Sequence, residues 1–286
     1  MRVLVAGCGW LGTAVGRALV AGGARVVGVR RSAESAERLQ ESGIEGVALD
    51  LTQSEAADGL PLEIDAVVGA VSADDGSVAA YRAAYVEATG TLLAHAERSG
   101  ARLVWVGSTG VFGQDDGGEV DEESAVCPTT PTAEVLCEAE RRVLDGSVRS
   151  CIVRMSGLYG PGRFGVVERV RSGRLALGPG DEAWMNWCHR EDAVRAVLAA
   201  LARGTAGTIY HASDGAPARR REVVTWISER LGIVAPRHPD GAPAVGGRRG
   251  ANRRVAAVVS RRALGLDLAF PSFREGLAEA FDAPGG

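Results

Sequence analysis

Through roughly the first two thirds of the chain, short runs of β-branched and other apolar residues alternate with longer stretches whose apolar positions recur every three or four residues. The short runs suit strands buried on both faces, and the longer stretches suit helices that cover them, so the alternation predicts parallel βαβ units. Strands are expected at Val3–Ala6, Arg25–Val29, Gly46–Leu49, Ala66–Ala70, Leu103–Val106 and Cys151–Arg154. The clearest helices should cover Leu11–Val20, Ala33–Gln40, Val78–Glu97, Ala133–Val143 and Glu191–Ala202. The fold class this implies is α/β, a Rossmann-type doubly wound parallel sheet with a small C-terminal α/β substrate-binding lid. After about Tyr159 glycine and arginine become more frequent and the alternation fades, through Gly160-Pro161-Gly162-Arg163 and a Pro/Gly-rich stretch from Pro236 to Gly250. A dinucleotide-binding domain over 1–158 is therefore expected, followed by a smaller, partly interleaved lid domain over 159–286, with 190–213 returning to the first domain.

Composition adds mostly exclusions. A chain of 286 residues that is 46% hydrophobic and 24% charged has the makings of a packed core, one large domain or two close ones. All 32 basic residues are arginine, and the formal net charge is -4, so no global basic field for nucleic acid exists. The local clusters Arg219-Arg220-Arg221 and Arg253-Arg254 are expected to be solvated surface charge. Five cysteines with no CxxC pair fit reduced thiols and imply no metal. No run of about 18 apolar residues occurs, so no membrane partner is expected, and the glycines that follow the first apolar run do not suit a signal peptide. A cytoplasmic monomer or homodimer acting on a small-molecule substrate is the reading these features allow.

Gly7-Cys8-Gly9-Trp10-Leu11-Gly12 fits GxGxxG directly after the first strand and at the start of a helix. Chemistry explains each position: Gly7 for a tight turn, Gly9 for close approach of a pyrophosphate, Gly12 for helix–strand packing, with the helix N-terminus, Trp10 and Leu11, facing the phosphates. The second strand ends in Arg30-Arg31, where an NAD enzyme would place an acid for the ribose 2'-hydroxyl. Arginine suits a 2'-phosphate, so NADP is expected ahead of NAD.

With these residues in view, the chain resembles the extended short-chain dehydrogenase/reductases, the NAD-dependent epimerase/dehydratase family, nearly end to end. Asp50-Leu51-Thr52 looks like the turn that contacts adenine there, and Ala70 with Val71 at the end of the fourth strand completes the expected cofactor contacts. Gly107-Ser108-Thr109-Gly110-Val111-Phe112-Gly113 is similar to SSxxVYG, and Arg154-Met155-Ser156-Gly157-Leu158-Tyr159-Gly160-Pro161-Gly162-Arg163 to RPxxIYGPGR. The segment Asn186 to Asp192 is similar to NxIHVDD, and Phe270 to Leu277 resembles the YPSYREGL tail of an atypical branch.

The resemblance also exposes a departure. The family sets a Tyr and a Lys four apart on one helix face, where the ammonium lowers the phenol pKa for proton transfer. Aligned on Cys137-Glu138-Ala139-Glu140, those positions hold Thr132 and Leu136. Ser108 is then the remaining polar member, expected to hydrogen-bond a substrate oxygen, with Thr132 at the lost phenol's place. Tyr85, one helical turn from Tyr81, is a candidate replacement phenol, although packing between helix and sheet, with the hydroxyl at the surface, is the better account of either tyrosine. Cys137 lacks a neighbour in sequence that would lower its pKa, and His189 reads as a structural hydrogen-bonding residue. Trp184 and Trp187 are expected on opposite faces of one strand, each in core. These residues point to an NAD(P)-binding enzyme of the epimerase/dehydratase/reductase type with a non-standard acid/base mechanism. Two alternatives stay open: a non-redox isomerase, lyase or cyclase on the same fold, and a non-catalytic NADP-binding sensor or assembly protein.

Overall fold

The computed structural model describes residues 1–53, 55–238 and 252–282. Seven parallel strands form its sheet: β1 (Arg2–Ala6), β2 (Arg25–Arg30), β3 (Glu45–Ala48), β4 (Ala66–Gly69), β5 (Arg102–Ser108), β7 (Ser150–Met155) and β11 (Ile209–Ala212). The order is β11-β7-β5-β4-β1-β2-β3, so the direction of winding reverses between β1 and β4. Alternate residues of each strand enter opposite cores. Val3, Val5, Val104, Val106, Cys151 and Val153 meet Leu11, Val15 and Leu19 of α1 (Trp10–Ala21) and the alanine-rich face of α7 (Arg190–Arg203). Leu4, Ala6, Leu103, Trp105 and Ile152 meet Leu92 and Ala96 of α4 (Ala88–Ser99), and Val135, Ala139 and Val143 of α5 (Pro131–Asp145). This is the doubly wound α/β sheet the alternation implied.

The predicted strands and helices are present with ends moved by a few residues. Two differ in kind. The 33–40 segment is α2 (Ala33–Glu37) followed by a 3-10 turn from Arg38 to Ser42. The helix expected over 78–97 is α3 (Val78–Tyr81), a π-helical turn (Arg82–Glu87) and α4 in continuous succession. A π turn puts one extra residue into the helix and rotates the side chains on either side of it, an adjustment that periodicity alone does not reveal.

A third cluster collects Tyr159, Val167, Val170, Trp187, Ala218, Val223, Ile227, Phe273 and Leu277. These come from β8 (Gly157–Tyr159), α6 (Gly165–Arg171), β10 (Trp187–His189), β12 (Ala218–Arg219), α8 (Arg220–Leu231) and α10 (Phe273–Asp282). The two tryptophans do not share a strand: Trp184 lies in β9 (Trp184–Met185), Asn186 breaks the chain, and Trp187 begins β10. Trp187 is buried, whereas Trp184 is half-buried beneath the guanidinium groups of Arg219 and Arg254. Two arginines expected in solvent are not there: Arg220 is 2% and Arg253 8% exposed. Of the Pro/Gly-rich stretch, residues 239–250 lie outside those described.

One buried ion pair joins the sheet to a helix. On β7, Arg154 Nε donates to Glu140 Oε1 at 2.9 Å and its Nη2 to Oε2 at 2.7 Å, with the side chains 3% and 5% exposed. Removing one member would strand the other charge in an apolar interior, which costs about 3 to 5 kcal/mol. Glu140→Leu should therefore lower the urea midpoint sharply, and Glu140→Leu combined with Arg154→Met should restore most of the loss. Equal loss in the single and double variants would show that the pair's charge is not what matters.

Candidate functional site

The winding reversal opens a crevice at the carboxyl ends of β1 and β4, and the glycine turn lies in it. Gly7 has φ +81°, and a Cβ there would stand 2.6 Å from the Ala70 carbonyl oxygen and 2.7 Å from Val71 Cα. At Gly12 a Cβ would meet the Gly7 carbonyl oxygen at 2.3 Å. Both glycines are therefore needed for the chain to close on itself. Gly9 differs: its φ is −81°, and the nearest atom to an added Cβ is Arg30 Nη1 at 3.5 Å. Space is left on that side. The N-terminus of α1 carries no side-chain cap and no acid in its first turn, so its dipole faces the opening uncompensated.

Around this turn the expected contact residues are already engaged by the protein. Trp10 Nε1 donates to the Pro161 carbonyl at 2.8 Å, and Arg163 and Arg190 flank its ring, which ties the turn to the Gly-Pro-Gly-Arg segment. Leu11 is buried in the core and offers only its backbone to the opening. Arg30 Nη1 donates to the Cys8 carbonyl at 3.0 Å, while Arg31 makes a two-pronged bond to Asp74. Asp50 accepts from the Thr52 amide and hydroxyl at 3.0 and 2.8 Å, bonds that hold its carboxyl below the usual range. Leu51 is buried, with its carbonyl accepting from Thr91 Oγ1 at 2.7 Å. Ala70 continues the sheet by donating to the Ala6 carbonyl, and Val71 packs half-buried beside it. Burial pushes the Cys8 thiol up to about 12, so this cysteine is a packing residue.

Farther along the carboxyl edge, β5 ends at Ser108, whose Oγ accepts from the Gly110 amide at 3.0 Å. Thr132, Leu136 and Glu140 follow one another at one-turn intervals on α5, and all three are buried. Thr132 Oγ1 lies 3.2 Å from the hydroxyl of Thr130, the residue that caps the helix. Leu136 belongs to an apolar cluster with Val111, Phe112, Val120, Cys137 and Val255. Tyr85 sits in the π turn, its ring 5.3 Å from Tyr81 and edge-on to Trp105 at 6.1 Å. Burial, with Glu140 nearby, raises the Cys137 thiol and removes it from consideration as a nucleophile. His189 does what a structural histidine does: its Nδ1 accepts from the Glu191 amide at 3.3 Å and its Nε2 faces Glu279 at 3.2 Å. Among the described residues, no group of three or more His, Cys, Asp and Glu side chains could hold a metal.

Sequence reasoning missed one residue here. Arg253 Nη2 donates to the Thr109 carbonyl at 2.7 Å, one residue beyond Ser108. Nothing in the local sequence separates it from Arg254 beside it, which turns outward onto Trp184.

A profile described as the NAD dependent epimerase/dehydratase family matches residues 3–213. The chain belongs to that family. Protein YeeZ of Escherichia coli K12 is 30% identical over 244 residues, covering 82% of this chain and 85% of its own. A 3-diazoavenalumate denitrifying reductase from a Streptomyces species is 28% identical over 308 residues, covering 91% and 99%. Among solved structures, MoeE5 in complex with UDP-glucose and NAD superposes with a TM-score of 0.81 over 97% of this chain and 96% of that one, at 23% identity, which speaks for the fold alone. A further curated relative is a ketoreductase from Stigmatella aurantiaca, 27% identical over 249 residues, and solved structures of this fold hold NAD. No helix among the described residues is long and apolar enough to cross a membrane.

The three glycines should separate experimentally. Gly12→Val forces a side chain into the Gly7 backbone and should cost about 2 kcal/mol or more, the upper range of overpacking penalties. Gly9→Val meets open space at a negative φ, its cost limited to a ψ of −148° outside the extended range, so it should lose clearly less melting temperature than Gly12→Val. A Gly9→Val protein as unstable as Gly12→Val would overturn this description of the turn.

Proposed function

We propose that the protein is an NADP-binding enzyme of the reductase or epimerase type that acts on a small polar metabolite in the crevice between the glycine turn and Ser108. The observation that carries this reading is the open face of Gly9 beside the Arg30 guanidinium: a backbone free for phosphate approach, an uncapped helix N-terminus and a cation in one place. Gly7, Gly9, Gly12 and the backbone of Trp10 and Leu11 hold the pyrophosphate; Asp50, Leu51, Ala70 and Val71 border the adenine half; Arg30 and Arg31 face the ribose. When bound, the dinucleotide supplies hydride transfer at a substrate carbon. Ser108 orients the substrate oxygen, and the proton moves by a route other than a Tyr–Lys pair, since Leu136 lies in an apolar cluster where an ammonium would be unsolvated. Tyr85, on the π turn that faces α5, is the candidate phenol for such a route, while Thr132 only occupies the place of the lost one. The described residues of the 159–286 range, less the 190–213 segment, form the substrate lid.

The two arginines divide the work. Arg30 braces the turn through Cys8, so Arg30→Ala weakens either nucleotide. Arg31 is the selective residue, but it reaches a 2'-phosphate only by leaving Asp74. Both side chains of that pair are more than half exposed, so opening it costs little, about 0 to 1 kcal/mol.

NADPH and NADH titrations followed by nicotinamide fluorescence test the assignment. The parent should bind NADPH more tightly; Arg31→Ala should weaken NADPH by about ten- to a hundred-fold and leave NADH nearly unchanged, as loss of charged hydrogen bonds predicts. Asp74→Ala should tighten NADPH by up to about five-fold. Identical curves for the two nucleotides in the parent would refute NADP. For the chemistry, a panel of carbonyl and hydroxyl compounds assayed by nicotinamide absorbance should yield a redox substrate. With it, Thr132→Val should stay within a few-fold of parent turnover while Ser108→Ala loses more. A dead Thr132→Val that still binds NADPH would make that hydroxyl essential and overturn the division of roles, and a product formed with no absorbance change would select non-redox chemistry.

A further inference from the structure

A buried guanidinium needs an anion, and this chain shows both the satisfied and the unsatisfied case. Arg154 is matched by Glu140 through two hydrogen bonds. Arg253 is as deeply placed, 8% exposed, yet among the described residues no carboxylate pairs with it. Its Nη2 donates to the Thr109 carbonyl, while its Nε and Nη1 are buried without a hydrogen-bond partner. Because Nη2 carries two hydrogens, one toward each edge of the fork, the bond to Thr109 occupies a single edge and leaves the other complete. Burial lowers its pKa to about 10, and no neighbouring acid among the described residues counteracts this.

The backbone of 252–255, which carries Arg253, is held by several hydrogen bonds. Asn252 exchanges backbone hydrogen bonds with Gln114 and Gly117, and its Oδ1 accepts from the Trp184 amide at 3.0 Å. Asn186 bonds the Arg253 carbonyl at 2.9 Å and the Val255 amide at 2.7 Å. The strand that follows, β13 (Arg254–Val255), pairs with β6 (Glu119–Val120). So many fixed contacts around one uncompensated charge show a group positioned by the fold, at the carboxyl end of β5 where Ser108 stands.

We propose that Arg253 receives a carboxylate of the substrate, which makes the substrate class a monocarboxylic acid whose reacting carbon lies near its carboxylate. One free edge of a planar fork matches the two oxygens of a carboxylate, and a single guanidinium, with no second cation beside it among the described residues, suits one negative charge better than a phosphate dianion. The proposal rests on the reading that the Ser108 crevice is the substrate site.

Thermal melts of the full chain in benzoate, benzamide, phenyl phosphate or sodium chloride at matched ionic strength provide the test, with NADPH affinity measured on the same samples. Benzoate should raise the parent's melting temperature and benzamide should not. Arg253→Met should weaken benzoate binding by about ten- to a hundred-fold, and Arg253→Lys, which keeps a charge without the fork, should fall between. The melting temperature of Arg253→Met without ligand should match or exceed the parent's, because an unpaired buried charge has gone. Should Arg253→Met fail to fold, a purely structural role is indicated and the proposal falls unless Arg253→Lys, folded, shows the intermediate benzoate affinity. Benzoate protection that persists in Arg253→Met overturns the proposal, as does protection by phenyl phosphate with none by benzoate. A parent protected by benzoate through Arg253 but unable to bind NADPH supports the carboxylate assignment and overturns the reading of the glycine turn instead.

Discussion

Glu140 is buried on the face of α5 that lies against the sheet, and its charge is tolerable there only because Arg154 on β7 meets both of its oxygens. The pair therefore fixes how far along the sheet α5 lies and how it is turned. Gly107, beside Arg154 in the neighbouring strand, leaves the room: a Cβ there would come within 3.2 Å of Glu140 Oε1. With Glu140 pinned, Leu136 and Thr132 must face the same way one and two turns earlier, toward the carboxyl end of β5. Phe112 lies with its ring 5.0 Å from the same guanidinium and edge-on to His211, so the turn after Ser108 is set by the same charge. The geometry of the substrate end descends from one ion pair.

The sheet was legible in the sequence because its strands are buried on both faces and read as unbroken apolar runs, as at Val3–Ala6 and Leu103–Val106. The glycine turn was legible for a related reason: Gly7 and Gly12 answer to steric limits that no other residue meets. Less visible was the π turn at Arg82–Glu87, because a single inserted residue barely disturbs an apolar repeat. The arginine clusters misled because charge in a sequence carries no record of depth. Arg253 and Arg254 are adjacent and chemically identical, yet the strand pairing of β13 sends one inward to Thr109 and the other outward onto Trp184. Only the long-range contacts of Asn186 and Asn252 decide which is which.

Under the proposed NADP reading, the relation between Arg31 and Asp74 would give selectivity at little cost in stability. Both side chains are largely in water, so their bond is weak and exchangeable, unlike that of Arg154. On that reading, a dinucleotide with a 2'-phosphate would offer Arg31 a doubly charged partner and Asp74 a repulsion, and the balance between these terms would set the preference.

Charge at the substrate end follows from the same comparison of buried and exposed groups. The resemblance to the epimerase/dehydratase family puts a lysine where this chain has Leu136, and Leu136 packs with Val111 and Val255 against the turn at Gly110. An ammonium at that place would need water or an anion that this apolar cluster does not provide. The cation near that turn instead comes from the other side, on Arg253, through the carbonyl of Thr109. A lysine beside a phenol acts on the proton that moves; a guanidinium clamped at a carbonyl has no proton to exchange near neutral pH and acts only by position and field. With the positive charge on the segment before β13 in place of α5, its proposed task changes from tuning an acid to holding an anion. On the proposed reading, the chemistry left to this crevice would be one in which binding geometry, more than a tuned phenol, sets the rate.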